Sequence, residues 1–164
     1  RKERSIGSSQ TFAHDIDDPV EVHRQLLHLS DRTTTRLRRA HMMGRTVVLT
    51  VRFSDFTTIT RSRTMARPTD VTRNVRATAS MMYEALGLQR ARIRLLGVRV
   101  EGLSNNEITP VQARLDEPIH GWREAERAVD RAVSRFGSGA VRPASLMSVG
   151  AVQGHRPQAS RTKA

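Results

Sequence analysis

With 164 residues, 37% of them hydrophobic, the chain can build one core of ordinary size plus an appendage, with little room for two globular domains. Lys and Arg number 28 against 16 Asp and Glu, and the formal charge of +12 gives a field that attracts polyanions, nucleic acid first among them. With no cysteine, disulfides and thiolate metal sites are excluded; no apolar run is long enough to span a membrane, and the apolar stripes are too narrow for membrane-surface binding.

The amino end, RKERSIGS, lacks the apolar region of a secretory signal, so a cytoplasmic location is expected. Its first residue is Arg and not Met, which suggests a piece of a longer chain. SIGSSQTF, from Ser5, reads as a first strand. DDPVEVHRQLLHLSDRTTTRLRRAHMMG then opens with Asp18 as an N-cap, Pro19 at the first helical position and Glu21 completing a capping box, with Gly44 as its stop. Val22, Leu26, Leu29, Thr33, Leu37 and Ala40 recur at three- and four-residue steps, which predicts one long helix with a single buried stripe.

In RTVVLTVRFSDFTTITRSRTM, Val47, Leu49, Val51 and Phe53 alternate with Thr46, Val48, Thr50 and Arg52, the period of a strand with one face inward. SDF turns the chain into a second strand of the hairpin, where Thr60, Ser62 and Thr64 alternate with Arg61 and Arg63. TDVTRNVRATASMMYEALG predicts the second helix, with Thr69 or Asp70 as cap, an apolar side of Val71, Val75, Ala79, Met82 and Leu86, and an end at Gly87. RIRLLGVRVEGL gives the last strand, with Leu96, Val98 and Val100 inward. The order strand, helix, strand, strand, helix, strand predicts an α+β fold: a four-stranded sheet with two helices on one face.

Past Leu103 the composition changes. SNNEITPVQARLDEP has the character of a linker, GWREAERAVDRAVSRFG reads as a short amphipathic helix using Trp122, Ala125, Val129, Val133 and Phe136, and the Ser-, Ala-, Gly- and Arg-rich end reads as disordered. The expected division is residues 1–4 as the end of a tether, 5–103 as the sheet domain, 104–121 as linker, 122–137 as helix and 138–164 as tail.

If both helices cover one face, the other is bare. Its parity offers Thr46, Val48, Thr50 and Arg52 on one strand and Leu95, Gly97, Arg99 and Glu101 on another. Guanidinium forks take phosphate oxygens bidentately, hydroxyls donate single hydrogen bonds, and Gly lets a backbone approach closely, so such a face suits sugar–phosphate strands. Solubility alone also places Thr and Arg on an open sheet. With four Phe, one Tyr and one Trp, few aromatics are available to stack bases, which favours gripping a duplex over reading single strands. An RNA-binding ribonucleoprotein module, or a protein-interaction domain whose basic face meets an acidic partner, are the alternatives. The six histidines show no metal-ligand spacing, the acids Asp15, Asp17 and Asp18 suit a helix start, and no Gly-rich phosphate loop or nucleophile with a base is found, so no catalytic centre is expected.

KERSIGSSQTF, VVLTVRFSDFTTITRSRTM and IRLLGVRVEGL, in that order with helices between them, resemble the little-finger domain of the Y-family translesion DNA polymerases. The resemblance covers residues 1 to about 103. It implies a sheet that packs in the major groove of primer–template DNA, with contacts at Ser5, Ile6 and Gly7, at Thr60, Arg61, Arg63 and Thr64, and at Arg94, Leu95 and Arg99. At Leu95 the family often has a basic residue, a departure that weakens that contact. The resemblance further implies a parent polymerase using magnesium in a palm upstream, no cofactor in this segment, a nucleoid-associated location and no membrane partner. QARLDEP resembles the family's peptide for the sliding clamp (the beta subunit), placing clamp contacts at Gln112, Leu115 and Asp116; Ala113 and Asp116 stand where hydrophobic residues are usual, which predicts a weakened contact.

Overall fold

The computed structural model describes residues 4–105 and 121–137. Strand β1 (Ser5–Ile16), helix α1 (Pro19–Arg39), strands β2 (Met42–Phe53) and β3 (Thr58–Thr69), helix α2 (Thr72–Ala85) and strand β4 (Ile93–Glu101) follow in the order expected. A two-residue strand β5 (Ser104–Asn105) and helix α3 (Trp122–Phe136) complete the described elements. The sheet runs β1-β4-β2-β3 with every pair antiparallel, and β5 pairs with the start of β2. The two Val- and Leu-rich strands, β2 and β4, therefore lie in the middle, while the polar β1 and β3 form the edges, where charge and hydroxyls deter pairing with other sheets.

Both long helices lie on one face. Val22, Leu26, Leu29 and Leu37 of α1 and Val75, Ala79 and Met82 of α2 pack with Ile6, Val47, Leu49, Val51, Leu96, Val98 and Val100. Most of these side chains are fully buried. Truncating one of the leucines to alanine would cost about 2–5 kcal/mol. Thr33 continues the α1 stripe as a buried polar residue, its hydroxyl donating to the Val98 carbonyl at 3.3 Å.

Asp18 caps α1 by accepting from the Val20 N–H at 3.0 Å, with Pro19 in the first turn. Glu21 closes no capping box; its carboxylate accepts instead from Gln25 and Arg24. The helix also ends before Gly44. Ala40 is its C-cap and His41 turns the chain with a φ of 52°, so Ala40 is exposed and leaves the stripe. Gly44 belongs to β2, where an added Cβ would lie 2.1 Å from Val100 Cγ1.

The start of α2 differs from expectation for a reason of tertiary structure. Neither Thr69 nor Asp70 caps it: Val71 occupies the cap position, and the Thr72 N–H donates to the carboxylate of Glu126 on α3, at 2.9 and 3.0 Å. Asp70 is fully buried and holds Arg123 at 3.1 Å. Arg38 of α1, also buried, donates to Glu126 at 2.7 Å, to Asp130, and to the Asp70 carbonyl at 2.8 Å. Burial opposes the Arg38 charge, but the hydrogen bond and charge of Asp130 outweigh it and push the guanidinium's pKa up. Burial also pushes the Glu126 carboxyl up, against the pull of the Thr72 N–H and Arg38. α3 thus docks on the helical side through its charged flank, and Trp122, Val129 and Phe136 remain exposed.

Candidate nucleic-acid interface

The strand registers define the sheet face opposite the helices as four rows. Reading across β1, β4, β2 and β3, they are Ser5–Glu101–Thr46–Thr64, Gly7–Arg99–Val48–Ser62, Ser9–Gly97–Thr50–Thr60 and Thr11–Leu95–Arg52–Thr58. More than half of these positions carry a hydroxyl, two are glycine, and Glu101 is the one acid among them. No aromatic occupies any row. None of the described helices packs over this face.

Gly97 lies in the centre of the surface, flanked by Ser9 and Thr50, and makes its lowest point. Gly7 is required for packing: its Cβ would lie 2.9 Å from Arg99 Cβ. Val48 is 4% exposed although it faces away from the helices, because it is hemmed in by Arg99 and Ser62. The floor is therefore shallow, polar and dense in donors.

Of the residues implied by the resemblance, Ser5, Gly7, Thr60, Thr64, Leu95 and Arg99 share this face. Ile6 points the other way into the core, at 3% exposure, so only its main chain can reach a ligand. Arg61 and Arg63 pair with Leu49 and Val47 and lie on the helix side of the edge strand, both exposed; Arg61 Nη1 donates to the Thr60 carbonyl and Arg63 Nη1 contacts Met81 Sδ. Arg36 reaches up from α1 to donate to the Gly7 carbonyl. Gln112, Leu115 and Asp116 lie outside the described residues.

Arg94 is brought to the open face by an irregularity. Arg52 pairs with Leu95 and Phe53 with Ile93, so one residue of β4 is extra, and that residue is Arg94. Its guanidinium lies 4.4 Å from the centre of the Phe56 ring and its Nε 3.5 Å from Asp15. Arg99 is held by Glu101 at 2.8 and 2.9 Å with both side chains partly exposed. Exposed pairs of this kind are worth about 0–1 kcal/mol, so a phosphate can displace Glu101. The acid triplet resolves into separate duties: Asp18 caps α1, Asp15 steadies Arg92 and Arg94, and Asp17 pairs with Arg90.

Ser9, Thr11, Thr58 and Ser62 join the face without having been singled out from the sequence. Their parity was legible, but assigning it needed the register against β4 and β2. Among the described residues no group of three or more His, Cys, Asp or Glu side chains could hold a metal ion. Among the described helices none is long and apolar enough to cross a membrane.

An α+β domain with one sheet face covered by helices and the other left basic and hydroxylated is the class these observations define. The chain belongs to the impB/mucB/samB family: the model of that family's C-terminal domain matches residues 3–115. This bears out the resemblance to Y-family little-finger domains. The DNA polymerase IV of Desulfatibacillum aliphaticivorans is 34% identical over 88% of this chain and 37% of its own length. That of Streptomyces coelicolor is 40% identical over 64% of this chain and 22% of its own length. The chain thus spans well under half of these relatives. Among solved structures, a Y-family DNA polymerase chimera matches 62% of this chain and 29% of its own at TM-score 0.54 and 12% identity. DinB from Sulfolobus solfataricus matches 59% of this chain and 28% of its own at TM-score 0.51 and 12% identity, and these two likenesses concern the fold.

Proposed function

We propose that this chain is the duplex-gripping domain of a translesion DNA polymerase IV, holding primer–template DNA by its backbones and tethering the enzyme to the sliding clamp. The observation that carries the reading is the set of four rows that no described helix covers, rich in hydroxyls, with two glycines and two guanidinium groups and without a base-stacking side chain. Hydroxyls and main-chain N–H groups reach phosphate oxygens singly, while Arg99, Arg52 and Arg94 supply charge. These contacts carry no base information, which suits an enzyme that must hold any sequence. The family match and the relatives' names support the same reading.

In this account nucleotidyl transfer belongs to other parts of the parent protein, where magnesium would act, and this domain keeps the substrate in place. Gln112 and Leu115, with Asp116 as a departure, would supply the clamp contact, and the setting is the nucleoid in the cytoplasm. Binding to labelled primer–template and to poly-uridine RNA, each titrated with salt, tests the grip. Neutralising about six phosphates predicts a log–log slope near −5 for the duplex and a clear preference for it. Equal affinity for the RNA would contradict the reading.

A further inference from the structure

The open face changes character at one end. Three of its rows carry small hydroxyls, glycine, Val48 and the Arg99–Glu101 pair, but the row of Thr11, Leu95, Arg52 and Thr58 leads to the β2–β3 turn, where Phe56 stands in solvent. Phe56 is 65% exposed and adopts a φ of 67°, a left-handed conformation that is strained for a bulky side chain. Such strain persists only where neighbours enforce it. Here Asp55 accepts from the Thr57 N–H at 3.0 Å and its hydroxyl at 2.6 Å, the Phe56 N–H donates to the Phe53 carbonyl, and the Ser54 N–H donates to the Arg92 carbonyl. The turn is thus tied down while its ring points outward.

Among the described residues Phe56 is the one exposed aromatic at the sheet, since Phe12 and Phe53 pack against the core and Trp122 and Phe136 belong to α3. Arg94 lies over the ring, steadied by Asp15, and Arg92, its side chain 70% exposed, meets the same carboxylate at 3.8 Å. An aromatic ring with a guanidinium over one face and most of its surface in solvent differs from the hydroxylated rows. It is the combination that holds unpaired bases and their phosphates.

We infer that Phe56 and Arg94 form a stacking site for an unpaired nucleobase of a single strand that runs on from the duplex held on the four rows. The inference rests on the duplex-gripping function proposed above and adds a site of different chemistry at its edge. Two DNA probes of equal duplex length test it in this chain: one blunt, one with a 5′ template overhang carrying 2-aminopurine at its first unpaired position. The overhang should raise affinity about tenfold, the scale of one stacked base, and quench the probe. Phe56→Ala should abolish both effects and leave blunt-duplex binding and the melting temperature unchanged, while Phe56→Trp should restore both. A chain that binds the blunt duplex but gains nothing from the overhang, or a Phe56→Ala variant that keeps the gain, overturns the stacking site. Failure to bind either duplex instead contradicts the duplex-gripping function.

Discussion

Arg99 and Glu101 stand two residues apart on one face of β4 and pair with each other, so on the proposed duplex grip a phosphate at Arg99 has to compete with Glu101. Arg99→Ala should weaken duplex binding equally for unrelated sequences and lower the salt slope by about 1, the signature of one lost phosphate contact; a loss confined to particular sequences would refute that role. Glu101→Gln removes the one acid in the rows and releases Arg99, so affinity should rise roughly two- to fivefold, the worth of an exposed ion pair. Anisotropy titrations on several duplexes read both changes. Gly97 separates fold from function at the same surface. Its Cβ would meet Ser9 and Thr50 at 3.5 Å, an ordinary contact, so Gly97→Ala should fold with an unchanged melting temperature. It should nevertheless lose at least about fivefold in duplex affinity, near 1 kcal/mol or one hydrogen bond, because the raised floor keeps the backbone at a distance. Full affinity in Gly97→Ala would show that no strand approaches there.

At the scale of elements, the β2–β3 turn depends on an ionised carboxylate. Hydrogen bonds from the Thr57 hydroxyl and N–H hold the Asp55 carboxyl below the usual carboxylate range. A depressed folded pKa means that the contribution to the turn is present above the unfolded value of about 4 and is lost as pH falls through the lower folded one. The Thr57 amide and Phe56 ring resonances should therefore titrate together below about pH 4, and Asp55→Ala should show no such step; a midpoint at or above the ordinary aspartate value would contradict the turn as described. Period-two alternation and two amphipathic stripes made the strands and long helices legible, because each buries one side only. The ends of elements were less legible. Gly44 reads as a helix stop by type, yet the strand claims it because Val100 leaves no room for a Cβ. The cap of α2 comes from Glu126, more than fifty residues away, and no local pattern announces a partner at that separation. Likewise α3 has an apolar stripe that suggests how it should dock, but buried Arg38 and Asp70 hold its charged flank instead.

At the scale of the whole molecule, the described elements leave one sheet face open because both long helices lie on the other side of the sheet and α3 joins them there. Much of the candidate surface was legible in the sequence. Parity alone assigned β2 and most of β4, and the family motifs pointed to Ser5, Gly7, Thr60 and Thr64. Parity did not place Arg94, because the extra residue in β4 shifts it, nor did composition reveal that Arg61 and Arg63 project from the opposite side of the edge strand. The net charge of +12 guarantees attraction to DNA but does not select a face, since arginines lie on both sides of the sheet. Mapping amide chemical shifts in 15N-labelled chain during a titration with primer–template duplex makes that selection directly. The account predicts that Gly7, Ser9, Gly97, Arg99, Thr50 and Thr60 shift together at one affinity while the outer surfaces of α1 and α3 stay still. Shifts confined to the helical side, with those six amides unmoved, would contradict it.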